Sequence, residues 1–121
     1  MDNQAFAVEV SVQAAVTILK PVGWLNADTR VLLEEKLRSE VDGGGRRIVV
    51  DLSSTHFPDN SGMVVFALWK GLLADLGGCL VLAAPNGSAL RALLAGRLDK
   101  YIPICDSVVE AVDLVGRIVS S

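Results

Sequence analysis

The spacing of apolar residues changes several times along the chain, and each change predicts a new element. Alternating valines over Ala7–Val12 predict a half-buried strand. The run Val16–Leu19 predicts a second strand, closed by Pro21 and Gly23. Gln13-Ala14 is the predicted hairpin turn, although it lacks the usual Asn-Gly chemistry.

Helical and strand-like segments then alternate to the end of the chain. Leucines and valines at four-residue spacing predict a helix from about Thr29 to Val41, capped by Asn26 or Asp28 and ended by Asp42–Gly45. Continuous apolar runs predict buried strands at Ile48–Leu52 and Cys79–Ala83. A further helix is predicted after Ser61 and ends near Leu76. Ser88 is predicted to cap the next helix, in which Leu90, Leu93 and Leu94 face inward. A short strand at Tyr101–Cys105 and a last helix, opened by Ser107–Glu110 and ending near Val119, complete the order. This order predicts one α/β domain over residues 1–121, with parallel βα units joined to an initial hairpin.

Composition removes several functional classes. The net charge is −3 and only 5% of residues are aromatic, which argues against direct binding of nucleic acid. No apolar run reaches about 18 residues, and Met1–Gln4 carries no basic signal region, so we expect a cytoplasmic protein without a membrane partner. Cys79 and Cys105 are predicted to be buried reduced thiols, and with the single His56 they form no metal-binding pattern.

The chemistry of the chain concentrates where the strand Ile48–Leu52 leads into the helix after Ser61. The first N–H groups of a helix lack partners and the helix dipole is positive there, so an anion on Ser61 would meet favourable donors. Asp59 and Asn60 precede Ser61, which places an acid and an amide beside the hydroxyl. The local pattern therefore predicts either a serine that carries a phosphate or an ordinary helix cap.

Catalysis by Ser61 is disfavoured by its surroundings. Asp59 and Met63 replace the two glycines of a Gly-x-Ser-x-Gly elbow. His56 lies five residues before Ser61 on the same connection, which is poor geometry for a triad, and it is predicted to be a solvated loop residue. No phosphate-binding glycine loop opens a helix, so we expect no enzyme activity, no metal and no cofactor.

The helix after Ser61 is apolar on more than one side. Its predicted core face contains Val65, Leu68, Leu72 and Leu76, with Trp69 beside it, and its opposite face contains Met63, Phe66, Lys70 and Leu73. Such a helix is either buried on both sides or docks a partner. A phosphate at its end favours docking, so Met63, Phe66 and Lys70 are the predicted partner residues. Trp24, near Asn26, is expected to be exposed as a second anchor.

Taken together, these motifs resemble the STAS domain of bacterial anti-sigma-factor antagonists over nearly the whole chain. The residues that carry the resemblance are Gly23-x-Leu25-Asn26, Ile48–Leu52, Phe57-x-Asp59-x-Ser61-Gly62, Gly77-Gly78-x-Leu80, Leu90-x-x-Leu93-Leu94 and Ile102-Pro103-Ile104-x-Asp106-Ser107. The family implies a mixed central sheet with helices packed mainly on one face.

The resemblance also implies a function. In the family, the unphosphorylated antagonist binds an anti-sigma factor that is a serine kinase, and so frees the sigma factor. The kinase phosphorylates the serine of Asp-x-Ser-Gly, the complex separates, and a serine phosphatase restores binding. By motif position Ser61 is that serine, with Asp59, Asn60, Gly62 and Asn26 around it.

The chain departs from the family pattern at two positions, and two alternative functions stay open. Many relatives carry Asp where this chain has Asn26 and Ser where it has Asn60, so a negative charge is missing near the phosphorylation site. The first alternative is a STAS domain used as a structural subunit of a lipid-transport ATPase or a sensory assembly, with Ser61 as a plain cap. The second is a small enzyme that uses Ser61. The sequence leaves the oligomeric state open.

Overall fold

The computed structural model describes residues 6–120. The polar segment Met1–Gln4 lies outside the described residues. The chain opens with an antiparallel hairpin of β1 (Ala7–Gln13) and β2 (Val16–Trp24). Its turn is Ala14-Ala15, one residue later than predicted, and both alanines have positive φ angles, 53° and 65°. A two-residue hairpin loop needs this left-handed backbone to match the strand twist.

Both hairpin strands differ from their predictions. β1 is an exposed edge strand, since Val10 and Val12 face solvent and only Val8 among its valines is partly covered. β2 continues through Pro21 instead of ending there. Pro21 is tolerated because the neighbouring strand on the inner side pairs only with residues 17–19 of β2, so no partner requires an N–H at this position.

The sheet is mixed and has the order β1-β2-β3-β5-β6. Its remaining strands are β3 (Arg47–Asp51), β4 (Thr55–His56), β5 (Cys79–Ala83) and β6 (Ile104–Cys105). All pairings after the hairpin are parallel, and β4 adds to the end of β2. His56 thus belongs to a short strand and not to the predicted loop, although its side chain is exposed.

Within residues 6–120, three helices cover one face of the sheet and one helix covers the other. The helices are α1 (Arg30–Asp42), α2 (Ser61–Asp75), α3 (Gly87–Ala95) and α4 (Val108–Ser120). The main core joins sheet residues such as Val50 and Leu82 to side chains of α1, α2 and α3. A smaller core places Ala111 and Val115 of α4 against Val49 and its neighbours on the opposite face. The expected fold, a mixed sheet with helices mainly on one face, is therefore confirmed.

The ends of the later elements refine the prediction. Asn86, and not Ser88, caps α3, because its Oδ1 accepts the Ala89 N–H at 3.0 Å. Leu94 is exposed, whereas Leu93 is fully buried. Ser107 caps α4 as predicted, accepting the Glu110 N–H through Oγ at 3.1 Å.

The strand predicted at Tyr101–Cys105 is shorter than expected. A 3₁₀ turn at Leu98–Lys100 precedes it, and only the two residues of β6 pair with β5. Within residues 6–120, no helix combines the length and apolar character needed to cross a bilayer.

Candidate functional site

The loop from β4 to α2 presents Ser61 at the start of a helix. Ser61 is the first residue of α2 and is half-buried, while Asp59 and Asn60 are exposed. The Asp59 carboxylate accepts the Ser61 N–H at 2.8 Å, whereas Asn60 makes no capping bond with its side chain. The carboxylate of Asp59 therefore satisfies one of the free donors at this helix end.

Hydrogen bonds hold the pKa of Asp59 below its ordinary value of 3.8. The largest cause is the backbone N–H of Ser61, followed by the Ser61 hydroxyl; burial opposes them, and the backbone of Ala27 adds the smallest contribution. A carboxyl that accepts several such bonds is stabilised as the anion. Asp59 is therefore negatively charged at neutral pH and bonds the start of α2.

Gly62 fixes how closely the two loops approach. A Cβ at this position would lie 2.6 Å from Cδ2 and 3.1 Å from Cγ of the fully buried Leu25. The Leu25 N–H also donates to the His56 carbonyl at 2.9 Å. The glycine after Ser61 is thus needed for space, since any side chain would displace Leu25.

Asn26 shapes the loop between β2 and α1. Its Oδ1 accepts the N–H groups of Asp28 and Thr29, each at 2.9 Å. The Thr29 hydroxyl accepts the Asn26 N–H and donates to the Trp24 carbonyl. Neither Asn26 nor Asp28 is the cap residue that the sequence predicted, because α1 begins at Arg30 after Thr29. Asn26 instead closes a tight turn that orients the end of β2.

Trp24 lies at this turn and is exposed, as predicted. Its side chain is 46% accessible, and its ring centroid lies 5.6 Å from that of His56 in a tilted arrangement. The pairing of Trp24 with His56 across β2 and β4 explains how an exposed indole keeps a defined position. Its role in partner binding remains a prediction.

The prediction for the faces of α2 is wrong at its central residues. Phe66 and Leu73 are fully buried, whereas Leu68 is 50% exposed and Leu72 is 38% exposed. Two apolar stripes fit a helical period here, and only the neighbours decide which one is covered. The buried stripe, which packs toward β5 and α1, is Gly62, Val65, Phe66, Trp69 and Leu73. The exposed stripe, here named the α2 ridge, is Val64, Leu68, Leu72 and Leu76.

Met63 and Lys70, the other predicted partner residues on α2, are half-buried. The Met63 sulfur packs against Gly96, where an added Cβ would lie 2.7 Å from it. Lys70 lies in the second half of α2, and its charge acts on the Cys79 thiol at the start of β5. Ser61 and Met63 thus share one end of the helix, while Lys70 lies away from it.

Asn86 is a structural residue of this site that the sequence did not indicate. Its Nδ2 donates to the Thr55 carbonyl at 2.8 Å while its Oδ1 caps α3. Thr55, the one fully buried polar side chain in the described part of the chain, donates from Oγ1 to the Pro21 carbonyl at 2.7 Å. These bonds tie β4, and hence the loop to Ser61, to β2 and α3. The Pro-Asn-Gly sequence was the available signal, since Asn is a strong helix cap.

The two thiols play no visible part in this site. Burial is the main cause that raises the pKa of both Cys79 and Cys105, so each is protonated at neutral pH. Between residues 6 and 120, no three His, Cys, Asp or Glu side chains are grouped so as to hold a metal ion.

A protein-family model matches most of the chain. The model for the STAS domain matches residues 7–111. The chain belongs to the STAS domain family. None of the curated proteins matches this STAS chain significantly.

Solved structures give the same fold. A Thermotoga maritima protein, provisionally described as an anti-sigma factor antagonist, is 25% identical with a TM-score of 0.82, covering 89% of this chain and 93% of its own. The phosphorylated Bacillus cell fate determinant SpoIIAA is 20% identical with a TM-score of 0.67, covering 92% of this chain and 99% of its own. A sulfate transporter family protein from Wolinella succinogenes is 14% identical with a TM-score of 0.70, covering 92% of this chain and 93% of its own.

Proposed function

We propose that this STAS chain is an anti-sigma-factor antagonist, a non-catalytic binding switch that is controlled by phosphorylation of Ser61. The observation that carries the proposal is the position of Ser61. It is the half-buried first residue of α2, its N–H is bound by Asp59, and the α2 ridge begins three residues later. SpoIIAA, which shares the fold, has been solved in unphosphorylated and phosphorylated forms.

The charges around Ser61 support control by repulsion. A phosphate would add about 1.5 to 2 negative charges beside the ionised Asp59. Neither loop of the site, residues 23–29 or residues 55–64, contains a lysine or arginine that could neutralise it. The positive end of the α2 dipole would stabilise this phosphate by only about 0.3–1 kcal/mol. A partner that fits the neutral hydroxyl would therefore meet added negative charge on these two loops after phosphorylation.

In this scheme the partner supplies the chemistry. An anti-sigma factor with serine kinase activity binds the unphosphorylated chain, transfers phosphate from its own ATP to Ser61, and separates. A serine phosphatase removes the phosphate and restores binding. Trp24 and the residues around Ser61 would form part of the surface that the kinase contacts.

The test uses serine variants and an anti-sigma factor of the kinase class. Ser61→Ala should bind it constitutively and escape phosphorylation with Mg·ATP, whereas Ser61→Glu should bind poorly in calorimetry. Ser11→Glu is the matched control, because Ser11 is exposed on β1 at the far edge of the sheet. Equal affinities of the two Ser61 variants would reject the switch.

A structural role is the second candidate, because a transporter-family protein shares the fold. In that role the chain would be a permanent subunit of a lipid-transport ATPase or a sensory assembly. Ser61 would then only help to begin α2 and would not be phosphorylated. Stable association that is insensitive to Ser61→Glu, with no phosphate transfer to Ser61, would favour this role.

A further inference from the structure

The two edges of the sheet are built differently. Among the described residues, β6 is an edge strand of only two residues and follows Pro103. β1, at the other edge, has seven residues and contains neither proline nor lysine. Short strands, prolines and lysines are common means of protecting a sheet edge against pairing with another chain. The β1 edge is therefore open to a further strand.

The register of the hairpin shows which backbone groups of β1 are free. Gln13, the last residue of β1, flanks the two-residue turn, and a pair at this position exchanges both of its hydrogen bonds. Because bonded and non-bonded pairs alternate, Val8, Val10 and Val12 direct their N–H and C=O groups away from β2. The pairing of Val8 with Pro21 agrees with this pattern, since proline has no N–H to donate.

The side chains of these three valines lie on one face of the sheet. Val8 packs against the main core, and alternation places Val10 and Val12 on the same face. Val10 is 40% exposed and Val12 is 70% exposed. A groove of about 360 Å³ lies between β1 and α1, and Val8 and Leu32 are among its lining residues. β1 thus offers an exposed apolar side chain, Val12, and an apolar groove beside Val8.

We propose that two copies of this chain pair through β1, antiparallel, about a two-fold axis at Val10. In this register Val8 of each copy lies opposite Val12 of the other, so every outward-facing position of both strands is paired. Each Val12 then reaches the groove beside Val8 of the other copy. Such an isologous contact leaves only the protected β6 edges free, so it closes as a dimer and does not extend into a fibre.

Charge favours this register over its neighbours. Glu9 is the one charged residue of β1, and the proposed axis places it opposite Ser11 of the second copy. An axis at Glu9 would set two glutamates directly opposite each other, which is unfavourable, and an axis at Ser11 would leave Val8 with no strand residue opposite it. The groove lining contains Glu35 and Lys36, whose charges cancel and do not repel a second copy.

This surface is separate from the proposed switch. Ser61 begins α2, which packs on β5, and β2 and β3 lie between β5 and β1. The dimer therefore goes beyond the proposed function and does not depend on it. An edge about 23 Å long and about 10 Å thick is smaller than the roughly 800 Å² per partner of a standard interface. We therefore expect a weak dimer that dissociates on dilution.

The experiment measures self-association of the full chain by sedimentation from micromolar to millimolar concentration. Val12→Ser removes the side chain that enters the groove. Val109→Ser is the matched control, since both valines are 70% exposed and Val109 lies on α4. Ser11→Lys and Ser11→Glu change only the charge opposite Glu9. Thermal melts show that each variant is folded, and amide hydrogen exchange at low and high concentration locates the contact.

Val12→Ser should weaken the dimer about tenfold, whereas Val109→Ser should leave it unchanged. Each contact occurs twice in the dimer, so Ser11→Lys should tighten it about fivefold and Ser11→Glu should weaken it by a similar factor. Amide protection should rise with concentration at Val8, Val10 and Val12. It should not rise at the residues between them, because their amides already bond to β2.

A chain that stays monomeric at millimolar concentration would overturn the proposal, as would a dimer that Val12→Ser leaves unchanged. Weakening by both Ser11 variants would reject the axis at Val10, and protection that rises on α2 instead of β1 would reject the β1 contact. None of these results would affect the proposed function, which the Ser61 variants test with the anti-sigma factor. Ser61→Glu should leave the dimer unchanged, so a failure of the switch would leave the dimer standing.

Discussion

Replacing Phe66 by alanine is expected to destabilise the domain far more than replacing Leu68, although both lie on α2. Phe66 is fully buried, its ring centroid lies 6.2 Å from that of Phe57, and it belongs to the main core. Removing a fully buried phenylalanine costs about 3–5 kcal/mol of unfolding free energy, because the cavity cannot close completely. Leu68 is 50% exposed, so Leu68→Ala should cost less than about 1 kcal/mol.

These free energies convert into shifts of the melting temperature. Unfolding entropy near 2.1 cal/mol/K per residue, over 121 residues, makes each kcal/mol worth about 4 °C. Phe66→Ala should then lower Tm by roughly 12–20 °C, and Leu68→Ala by less than about 4 °C. Urea melts with an unchanged m-value would confirm that stability, and not the unfolded state, has changed.

The binding measurements should rank the two variants in the opposite order. At a temperature where both variants are folded, Leu68→Ala should weaken binding of the anti-sigma factor more than Phe66→Ala, because Leu68 is exposed on the α2 ridge and Phe66 is buried in the core. If Leu68→Ala destabilised the domain as much as Phe66→Ala, the assignment of the two stripes would be refuted.

Three further substitutions test the site and its support. Gly62→Ala should lower stability by about 1–3 kcal/mol in a denaturant melt, since its Cβ would clash with Leu25; an unchanged midpoint would show that the loops can separate freely. Ala15→Gly should raise stability by up to about 1 kcal/mol, because it relieves a left-handed φ of 65°, and a loss of stability would contradict this account of the turn. The folded pKa of Asp59 is held below 3.8. The stability that the ionised carboxylate contributes is therefore present above the unfolded pKa and is lost as pH falls through the folded pKa. The stability gap between wild type and Asp59→Asn should therefore narrow below about pH 3.8 and stay constant from pH 5 to 7 in pH-dependent melts; a gap that does not change with pH would reject the bonds from Ser61.

The sheet could be predicted from the sequence because its strands have simple patterns. The predicted strands Ile48–Leu52 and Cys79–Ala83 correspond to β3 and β5, central parallel strands whose apolar residues are buried on both faces. Helix ends were less predictable, since several capping residues compete within a few positions. Asn86 and Ser88 are both good caps, and in the fold Asn86 is the cap while its amide also donates to the Thr55 carbonyl.

The faces of α2 could not be predicted for a different reason. A helix that is apolar all round carries no information about which side its neighbours cover. Val65 belongs to both possible stripes, one continuing through Leu68 and the other through Phe66 and Trp69. The choice depends on where β5, α1 and the end of α3 lie, and these positions arise only from the tertiary fold.

Two of the contacts that hold the loops around Ser61 do not involve its hydroxyl. Leu25 fits against Gly62, and Asn86 links Thr55 of β4 to the start of α3. A surface fixed in this way need not refold when Ser61 changes its charge. Under the proposed function, phosphorylation would therefore act through the potential at the end of the α2 ridge, while the ridge itself keeps its shape for the next cycle of binding. Under this proposal, the residues that hold the loops in place and the residues that would contact the partner are largely different.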